Sequence, residues 1–282
     1  MTARTAPTER QKRLGYELRR MRTSADVSAE YAAGLLGVDR GAISAMESGT
    51  RAISAERLRT LACNCAVTDE EHIAGMTAMA APSRGWWDRY RGQLPQGFLD
   101  IAELEAHSSR MRGAFSVHMP GLLQTSDHAL AVFRMVIPRL PKHEVALRLA
   151  FRAERQQLLD GAGAREFVAI VHEAALRVQF GGRGVLRTQL EHLLDRSAQE
   201  NVTLLVIPFE AGGFPGAGQT VLYAEGATMQ LDTVQVDNSH GPDFLYADAQ
   251  LAKYRAHFDA LEKLALSPED SRGFIHTIAS QL

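Results

Sequence analysis

Hydrophobic residues recur at helical spacing through the first third of the chain, in short stretches separated by turn signals. Leu14, Leu18 and Met21 form one such stripe, and Leu58 and Leu61 form another. Residues 14–80 show no alternation of apolar and polar positions that is typical of a strand. The pattern predicts an all-α N-terminal domain of five short helices.

Beyond residue 98 the pattern changes, and helical and strand periodicities are mixed. Val202–Ile207 is a continuous apolar run that ends at Pro208, which is typical of a strand buried on both faces. Helices are predicted at residues 98–112, 126–136, 142–160, 184–200, 247–265 and 268–280. Strands are predicted at residues 167–171, 202–207, 219–224 and 229–236. These elements predict a larger α+β domain with a mixed sheet.

The segment between the two patterns, residues 81–97, has the composition of a domain boundary. It contains two prolines and three glycines, but Trp86, Trp87 and Tyr90 argue against a floppy linker. We therefore divide the chain into residues 1–80, an aromatic linker at 81–97, and residues 98–282. The two tryptophans could hold the domains in a fixed register, or they could line a pocket that couples a ligand to the N-terminal domain.

Residues 27–49 contain two short helices joined by a tight turn. Ser28 is suited to cap the first helix, and Gly37 supplies the positive φ that a three-residue turn demands. Asp39 is suited to cap a second helix that runs from Arg40 to about residue 48, and Gly49 ends it. This arrangement is that of a helix-turn-helix motif.

The pattern resembles the lambda-repressor-like (XRE) helix-turn-helix family over residues 14–79. In that family an arginine late in the first helix pairs with a glutamate late in the recognition helix, and Arg22 and Glu47 occupy those positions. The alternative for an isolated arginine and glutamate is two surface charges. If the pair is buried, removing one partner should cost roughly 3–5 kcal/mol, because the other charge is left unpaired.

The resemblance implies that the N-terminal half of the second helix lies in the major groove of DNA. The residues that it places at DNA, through bases, phosphates or helix caps, are Ser28, Ala29, Asp39, Arg40, Gly41, Ser44, Ala45, Thr50 and Arg51. Arg40 can make a bidentate contact to guanine, and Ser44 is a permissive contact. Gly41 and Ala45 carry no polar side chain that could contact a base. Ala29 stands where many relatives place a glutamine.

The C-terminal part carries an ordered set of short strings. They are Trp86-Trp87, Met119-Pro-Gly-Leu-Leu-Gln-Thr125, Arg152-Ala-Glu-Arg-Gln156, His172-Glu-Ala-Ala-Leu176, Gln189-Leu190 and Val206-Ile-Pro-Phe209. The set resembles the sensing domain of the actinobacterial WhiJ-type antitoxin-like regulators, over residues 84–280. The resemblance implies a small partner protein encoded nearby.

The composition of the chain indicates the cellular compartment in which the protein is expected. The chain is 45% hydrophobic and 23% charged, which is ordinary for a soluble globular protein. No apolar run reaches the roughly 18 residues of a membrane helix, and residues 1–12 lack the hydrophobic core of a signal peptide. Cys63 and Cys65 are too few and too close for a disulfide framework. We expect a cytoplasmic protein without a membrane segment.

The net charge of -2 hides a basic N-terminal end. Its basic residues up to position 25 are Arg4, Arg10, Lys12, Arg13, Arg19, Arg20 and Arg22, against Glu9 and Glu17. This excess favours a DNA-facing end, and a solvated arm is the alternative.

Enzyme and metal chemistry find little support. His172-Glu173 begins like the zinc-protease HExxH motif, but Leu176 stands where the second histidine ligand is needed. The glycines around Arg183 lack the lysine of a phosphate loop, so a plain turn is favoured. Glu173 could meet a ligand amine or a partner arginine, or it could pair with Arg177 one helical turn on.

The sequence therefore predicts a sequence-specific DNA-binding transcription regulator that is not an enzyme and needs no cofactor and no metal. It would bind double-stranded DNA as a homodimer. Its C-terminal domain would bind the small co-encoded partner protein, or alternatively sense a small molecule. Trp86, Trp87, Glu173 and Arg177 are the candidate residues of that partner or ligand site.

Overall fold

The computed structural model describes residues 6–282, which pack into two compact units. The first, here called the helical unit, runs to Arg91 and also takes in Pro95–His107 and Glu225–Asp232. The second, the sheet unit, comprises Gly92–Leu94, Ser108–Ala224 and Thr233–Leu282. The predicted domain boundaries, at residues 80 and 97, are not tested by this division into compact units, and they stay a prediction. Arg4 of the predicted basic end lies outside the described residues.

The helical unit confirms the prediction of five N-terminal helices. They are α1 (Glu9–Ser24), α2 (Ala29–Leu36), α3 (Arg40–Glu47), α4 (Ala55–Asn64) and α5 (Glu70–Ala80), and α6 (Gln96–His107) follows a short 3-10 helix at Trp86–Tyr90. Ser28 and Asp39 cap their helices as expected, and Ser54 caps α4; each accepts a hydrogen bond from a backbone N–H three residues on. Gly37 ends α2 with φ 62°.

Two glycines let α1 and the end of α3 approach closely. A Cβ on Gly15 would lie 2.5 Å from the carbonyl oxygen of Glu47, and one on Gly49 would lie 2.7 Å from the backbone of Gln11. Leu14 and Leu18 of α1 and Ile43 of α3 are buried in the same core. This close crossing sets the N-terminal half of α1 against the C-terminal end of α3.

The sheet unit confirms the predicted α+β class with a mixed sheet. Its strands are β1 (Arg110–Phe115), β2 (Glu166–His172), β3 (Val202–Ile207), β4 (Val221–Glu225), β5 (Thr233–Asn238) and β6 (Gly241–Leu245), in the order β3-β2-β1-β4-β5-β6. β1, β2 and β3 are parallel, whereas β4, β5 and β6 pair antiparallel. Its helices are α7 (Ser126–Arg134), α8 (Lys142–Gln156), α9 (Glu173–Arg177), α10 (Arg183–Arg196), α11 (Asp248–Leu264) and α12 (Pro268–Ser280).

The parallel strands are covered on both faces. Along β2, Phe167 and Ala169 belong to the core that includes α10 and α12, while Val168 and Ile170 belong to the core beneath α11. Successive side chains of a strand point to opposite faces, so such a strand is expected to be apolar at most of its positions. This is why the continuous apolar run Val202–Ile207 correctly predicted β3.

The predicted helix at residues 98–112 was wrong in its second half. α6 ends at His107, and Arg110–Phe115 form the strand β1. The strand escaped notice because Arg112 looks like a surface residue, yet it is buried. Its guanidinium lies 5.1 Å from the ring centre of Tyr223 and 3.2 Å from a carboxylate oxygen of Asp259. Both partners are more than one hundred residues away in sequence, so no local pattern reveals them.

The predicted strand at residues 229–236 was also wrong at its start. β5 begins at Thr233, and Met229–Leu231 is a short 3-10 helix. The residues before Thr233 pack in the helical unit instead of extending the sheet. The strand β6 and the short helix α9 were not predicted. Within residues 6–282, no helix combines the length and the apolarity that crossing a bilayer would require.

Candidate nucleic-acid interface

A charged pair joins the C-terminal ends of α1 and α3. Arg22 donates from Nε to Oε1 of Glu47 at 2.5 Å and from Nη2 to Oε2 at 3.1 Å, and each side chain is 12% exposed. Arg22 also donates to the carbonyl of Val27 at 2.7 Å. The hydrogen bond to Glu47 raises the pKa of Arg22. A two-pronged pair of this kind fixes the angle at which α3 is held.

The outward side of α3 carries the residues that the sequence assigned to base contacts. Arg40, Gly41 and Ser44 are exposed, and Ala45 is half-buried. Nη1 of Arg40 lies 2.9 Å from Oε1 of Glu30 on α2, and 71% of the Arg40 side chain is exposed. Because an exposed ion pair is weak, a guanine can compete with Glu30 for this guanidinium.

The other predicted DNA contacts fall into two groups. Ser28 and Asp39 use their side-chain oxygens as helix caps, so their contribution to DNA would come through the helix N-termini. Ala29 is half-buried against the helical core and offers no polar group. Thr50 donates its hydroxyl to the carbonyl of Ala45 at 3.1 Å, and Arg51 is exposed beside it.

Tyr31 is a surface aromatic that the sequence argument missed. It lies in the first turn of α2 and is 59% exposed. A tyrosine there can donate its hydroxyl to a phosphate. The sequence could have predicted this. Ala32, Ala33 and Leu36 form the buried face of α2, so Tyr31, which lies outside that face, should be exposed.

The basic N-terminal end differs from the prediction in one respect. Arg13 was counted among the basic residues expected to face DNA, but its side chain is only 3% exposed and pairs within the protein. Arg10 donates to the carbonyl of Ala78, and burial lowers its pKa. Arg20 pairs with Glu17 at 2.7 Å, and Arg19 is exposed. Most of the described positive charge of α1 is therefore engaged within the chain.

Arg13 holds a segment that comes from far along the chain. It pairs with Glu17, donates to the carbonyl of Gln230, and donates from Nε to the carbonyl of Asp232 at 3.3 Å. Glu17 is fully buried. We call residues 225–232 the control segment. The chain enters it from β4 and leaves it into β5.

Apolar and polar contacts fix the control segment further. Leu231 is buried in the core of the helical unit, and a Cβ on Gly75 of α5 would lie 2.6 Å from its Cδ1 atom. His72, also on α5, has its Nδ1 atom 3.2 Å from the hydroxyl of Thr228. Burial lowers the pKa of His72. The control segment is thus an integral part of the helical unit.

The four candidate residues for a partner or ligand site are dispersed in the chain. Trp87 is buried beside His107 with ring centres 6.2 Å apart, and the ring of Trp86 lies edge-on to that of Trp87. Glu173 pairs with Arg177 at 2.6 Å and accepts from the backbone N–H of Phe209 at 2.9 Å. Both oxygens of this buried carboxylate thus have partners within the chain. The assignment of these four residues to a partner or ligand site stays a prediction.

Comparison with known protein families agrees with this architecture. Residues 13–73 match the family model of a helix-turn-helix domain. Residues 98–277 match the model of a domain of unknown function, DUF5753, which is more than half of the chain. The chain belongs to the DUF5753 family. No curated protein and no solved structure matches it.

The helix-turn-helix match supports a DNA-binding regulator rather than an enzyme. In this DUF5753 protein, the helix-turn-helix match covers both α1 and α3, and therefore both members of the Arg22–Glu47 pair. The DUF5753 match covers the control segment, although that segment packs in the helical unit.

Proposed function

We propose that this chain is an antitoxin-like transcription regulator whose DNA occupancy changes when a small partner protein binds its C-terminal domain. The observation that carries the proposal is the control segment. It is the connection between β4 and β5, yet it packs with the helices that hold α3, through its bonds to Arg13 and through its own buried Leu231. The likeness to WhiJ-type regulators supports a protein as the partner.

The covalent connection gives a route for the signal. A shift of β4 or β5 would pull on residues bonded to Arg13 and packed on Gly75. Arg13 and Arg22 lie on the same helix, and Arg22 holds Glu47 at the end of α3. Rigid helices pass such displacements on, so a strand movement would alter how α3 is presented.

DNA reading would follow the helix-turn-helix mode. α3 would lie in the major groove, with Arg40 bidentate to a guanine and Ser44 as an adaptable contact. Thr50, Arg51 and Tyr31 would contact phosphates. With so few polar readers on α3, specificity would lean on a homodimer that reads two half-sites about 34 Å apart.

The test of base reading is Arg40→Ala against Arg187→Ala, an exposed arginine on α10. Binding-site selection followed by titration on the preferred site should show that Arg40→Ala loses about 1–3 kcal/mol and relaxes the preference at one base pair. Arg187→Ala should bind like the natural protein. Unchanged binding of Arg40→Ala on every sequence would remove Arg40 from the base contacts.

The salt dependence of binding tests the DNA claim as a whole. Each phosphate that a cation neutralises releases a counterion, so log affinity should fall linearly with log salt concentration. Fluorescence anisotropy with a promoter fragment over a range of salt concentrations gives the slope. A slope of zero would rule out phosphate contacts and with them the proposed DNA binding.

A small-molecule signal is the second candidate, and a cavity in the sheet unit favours it. The cavity lies at the carboxyl ends of the parallel strands, beside Phe115, His172 and Ile207, where open α/β sheets bind ligands. The ring of His172 lies 5.0 Å from those of Phe209 and Phe214. Among residues 6–282, no Asp, Glu, Lys or Arg side chain lines the cavity, so its ligand would be a neutral, largely apolar molecule.

The small size of that cavity places the small-molecule signal second to the partner protein. It encloses about 20 Å³, room for one water molecule, so a ligand would have to displace the loop that contains Phe214 and Gly216. Thermal denaturation with a panel of neutral aromatic compounds tests it. A compound that raises the melting temperature of the natural protein, but not of Gly216→Trp, would favour the small-molecule model.

A further inference from the structure

An open groove runs between α7 and α8 in the sheet unit. It encloses about 620 Å³ and is lined by apolar side chains with cations among them. The apolar part is formed by Leu130, Phe133, Leu140, Val145, Ala146 and Leu149. An apolar groove between two helices can accept an amphipathic helix laid along it.

Exposed apolar residues follow the groove-lining residue Arg134 along the chain. Met135 and Ile137, in the connection from α7 to α8, are 69% and 92% exposed. Within α8, Phe151 is the one side chain that is fully buried, although the helix has a clear apolar stripe. An apolar groove accompanied by exposed apolar side chains of this size is typical of an interaction site.

The rim of the groove is positively charged. Arg134, Arg139 and Lys142 line it and are exposed. The nearest acid on α8, Glu144, pairs with Arg148 at 2.6 Å, so its charge is already compensated. The groove therefore joins an apolar floor to an excess of cations.

The apolar floor and the cationic rim together favour one kind of molecule over others that could cover the groove. A second copy of the chain using the same face would set Arg134, Arg139 and Lys142 against themselves, because a two-fold interface pairs a surface with itself. Bare DNA would leave the apolar floor uncovered. We infer that the groove binds an amphipathic helix of a partner protein, with acidic residues flanking its apolar stripe. The inference rests on the proposed function and names the surface through which the partner acts.

The probe is a fluorescein-labelled synthetic peptide of about four helical turns, with leucines at i, i+3, i+4 and i+7 spacing and glutamates elsewhere. We expect it to bind the full chain in fluorescence anisotropy. Two control peptides have the same length. One has the same composition with the leucine stripe scrambled, and the other has lysines in place of glutamates. Neither should bind.

Matched variants locate the site. Arg134→Glu/Lys142→Glu should weaken peptide binding at least about tenfold, because both rim charges become repulsive, and should bind the lysine peptide instead. Arg187→Glu/Lys263→Glu, which reverses two exposed cations elsewhere in the sheet unit, should bind like the natural protein. Ala146→Glu on the groove floor should weaken binding, whereas Ala150→Glu, exposed on α8 outside the groove, should not.

Several outcomes would overturn the inference. They are absence of binding by the acidic peptide, equal binding of all three peptides, equal effects of the groove variants and their controls, and concentration-dependent dimerisation or DNA binding that the groove variants abolish. Circular dichroism of each variant checks that it is folded. DNA affinity is measured in parallel. A chain that binds DNA but no peptide refutes the groove alone, and one that binds the peptide but no DNA refutes the proposed DNA binding alone.

Discussion

The two ends of α1 each carry an ion cluster, and the two clusters serve different partners. Near the C-terminal end, Arg22 binds Glu47, which lies 25 residues further along the chain. Nearer the N-terminal end, Arg13 binds Glu17 and the carbonyl of Asp232, which lies 219 residues away. One cluster positions the recognition helix, and the other secures a segment supplied by the sheet. α1 is therefore the element through which both are connected.

The two clusters also differ in their burial. Glu17 is fully buried, whereas the Glu47 side chain is 12% exposed. A charge that loses its partner is costlier the less water can reach it, because the low dielectric of the interior does not screen it. We therefore expect the cluster around Arg13 to be the more sensitive of the two.

The largest effect is expected for Glu17→Ala. It removes the carboxylate that pairs with the buried guanidinium of Arg13 and with Arg20. We expect a loss of about 3–5 kcal/mol in the free energy of unfolding, measured by urea denaturation. Glu71→Ala, an exposed acid in the first turn of α5, is the control and should stay within about 0.5 kcal/mol. Equal losses for both variants would contradict the comparison.

Glu47→Ala should cost about 3 kcal/mol, the lower end of the range for a buried pair, because Arg22 keeps its bond to Val27 and some access to water. It should also weaken DNA binding, since the pair holds α3. The ratio of DNA affinity loss to stability loss should be larger for Glu47→Ala than for Glu17→Ala. The same ratio in both variants would mean that the two ends of α1 do not have separate roles.

Leu231→Ala tests whether the control segment belongs to the helical unit. It removes a buried side chain that packs on Gly75, and we expect a loss of about 2–3 kcal/mol. Met229→Ala, two residues before it and 60% exposed, should change stability by less than about 0.5 kcal/mol. Hydrogen exchange should show the amides of α5 less protected in Leu231→Ala. Loss of protection confined to β4 and β5 would refute the assignment.

The sequence revealed the first cluster and not the second, and the reason is the distance to the partners. The caps Ser28, Asp39 and Ser54 bond backbone groups three residues away, so a local pattern contains the whole interaction. Arg22 and Glu47 were found because a family pattern places both of them. Arg13 and Glu17 form an ordinary i, i+4 pair in sequence, and only the fold shows that they are buried.

The same limit applies to the sheet unit. β3 could be predicted because a strand covered on both faces is apolar at nearly every position. β1 was missed because Arg112 is neutralised by residues of α11 that follow it by about 150 positions. The groove of α7 and α8 was missed because helical periodicity predicts that an apolar stripe is buried, and here much of the stripe faces solvent.

The smallest predicted effect concerns pH, and it distinguishes the clusters because the one around Arg13 contains a histidine. Burial of His72 outweighs the nearby carboxylate of Glu17, so its pKa in the folded protein lies below the ordinary value. The unfolded chain therefore takes up a proton at His72 at a higher pH, near 6.5, than the folded protein does. The contribution of neutral His72 to stability is complete above that pH and is lost as the pH falls.

We expect the free energy of unfolding of the natural protein to fall more between about pH 7 and pH 5 than that of His72→Asn. The other buried histidines titrate equally in both proteins, so the difference between the two curves isolates His72. Urea denaturation at a series of pH values gives both curves. A companion variant, Thr228→Val, removes the hydroxyl near Nδ1 but leaves the histidine, and it should keep the natural pH dependence. Parallel curves for the natural protein and His72→Asn would show that His72 titrates alike in the folded and unfolded chains, and would contradict the pH sensitivity expected of the cluster around Arg13.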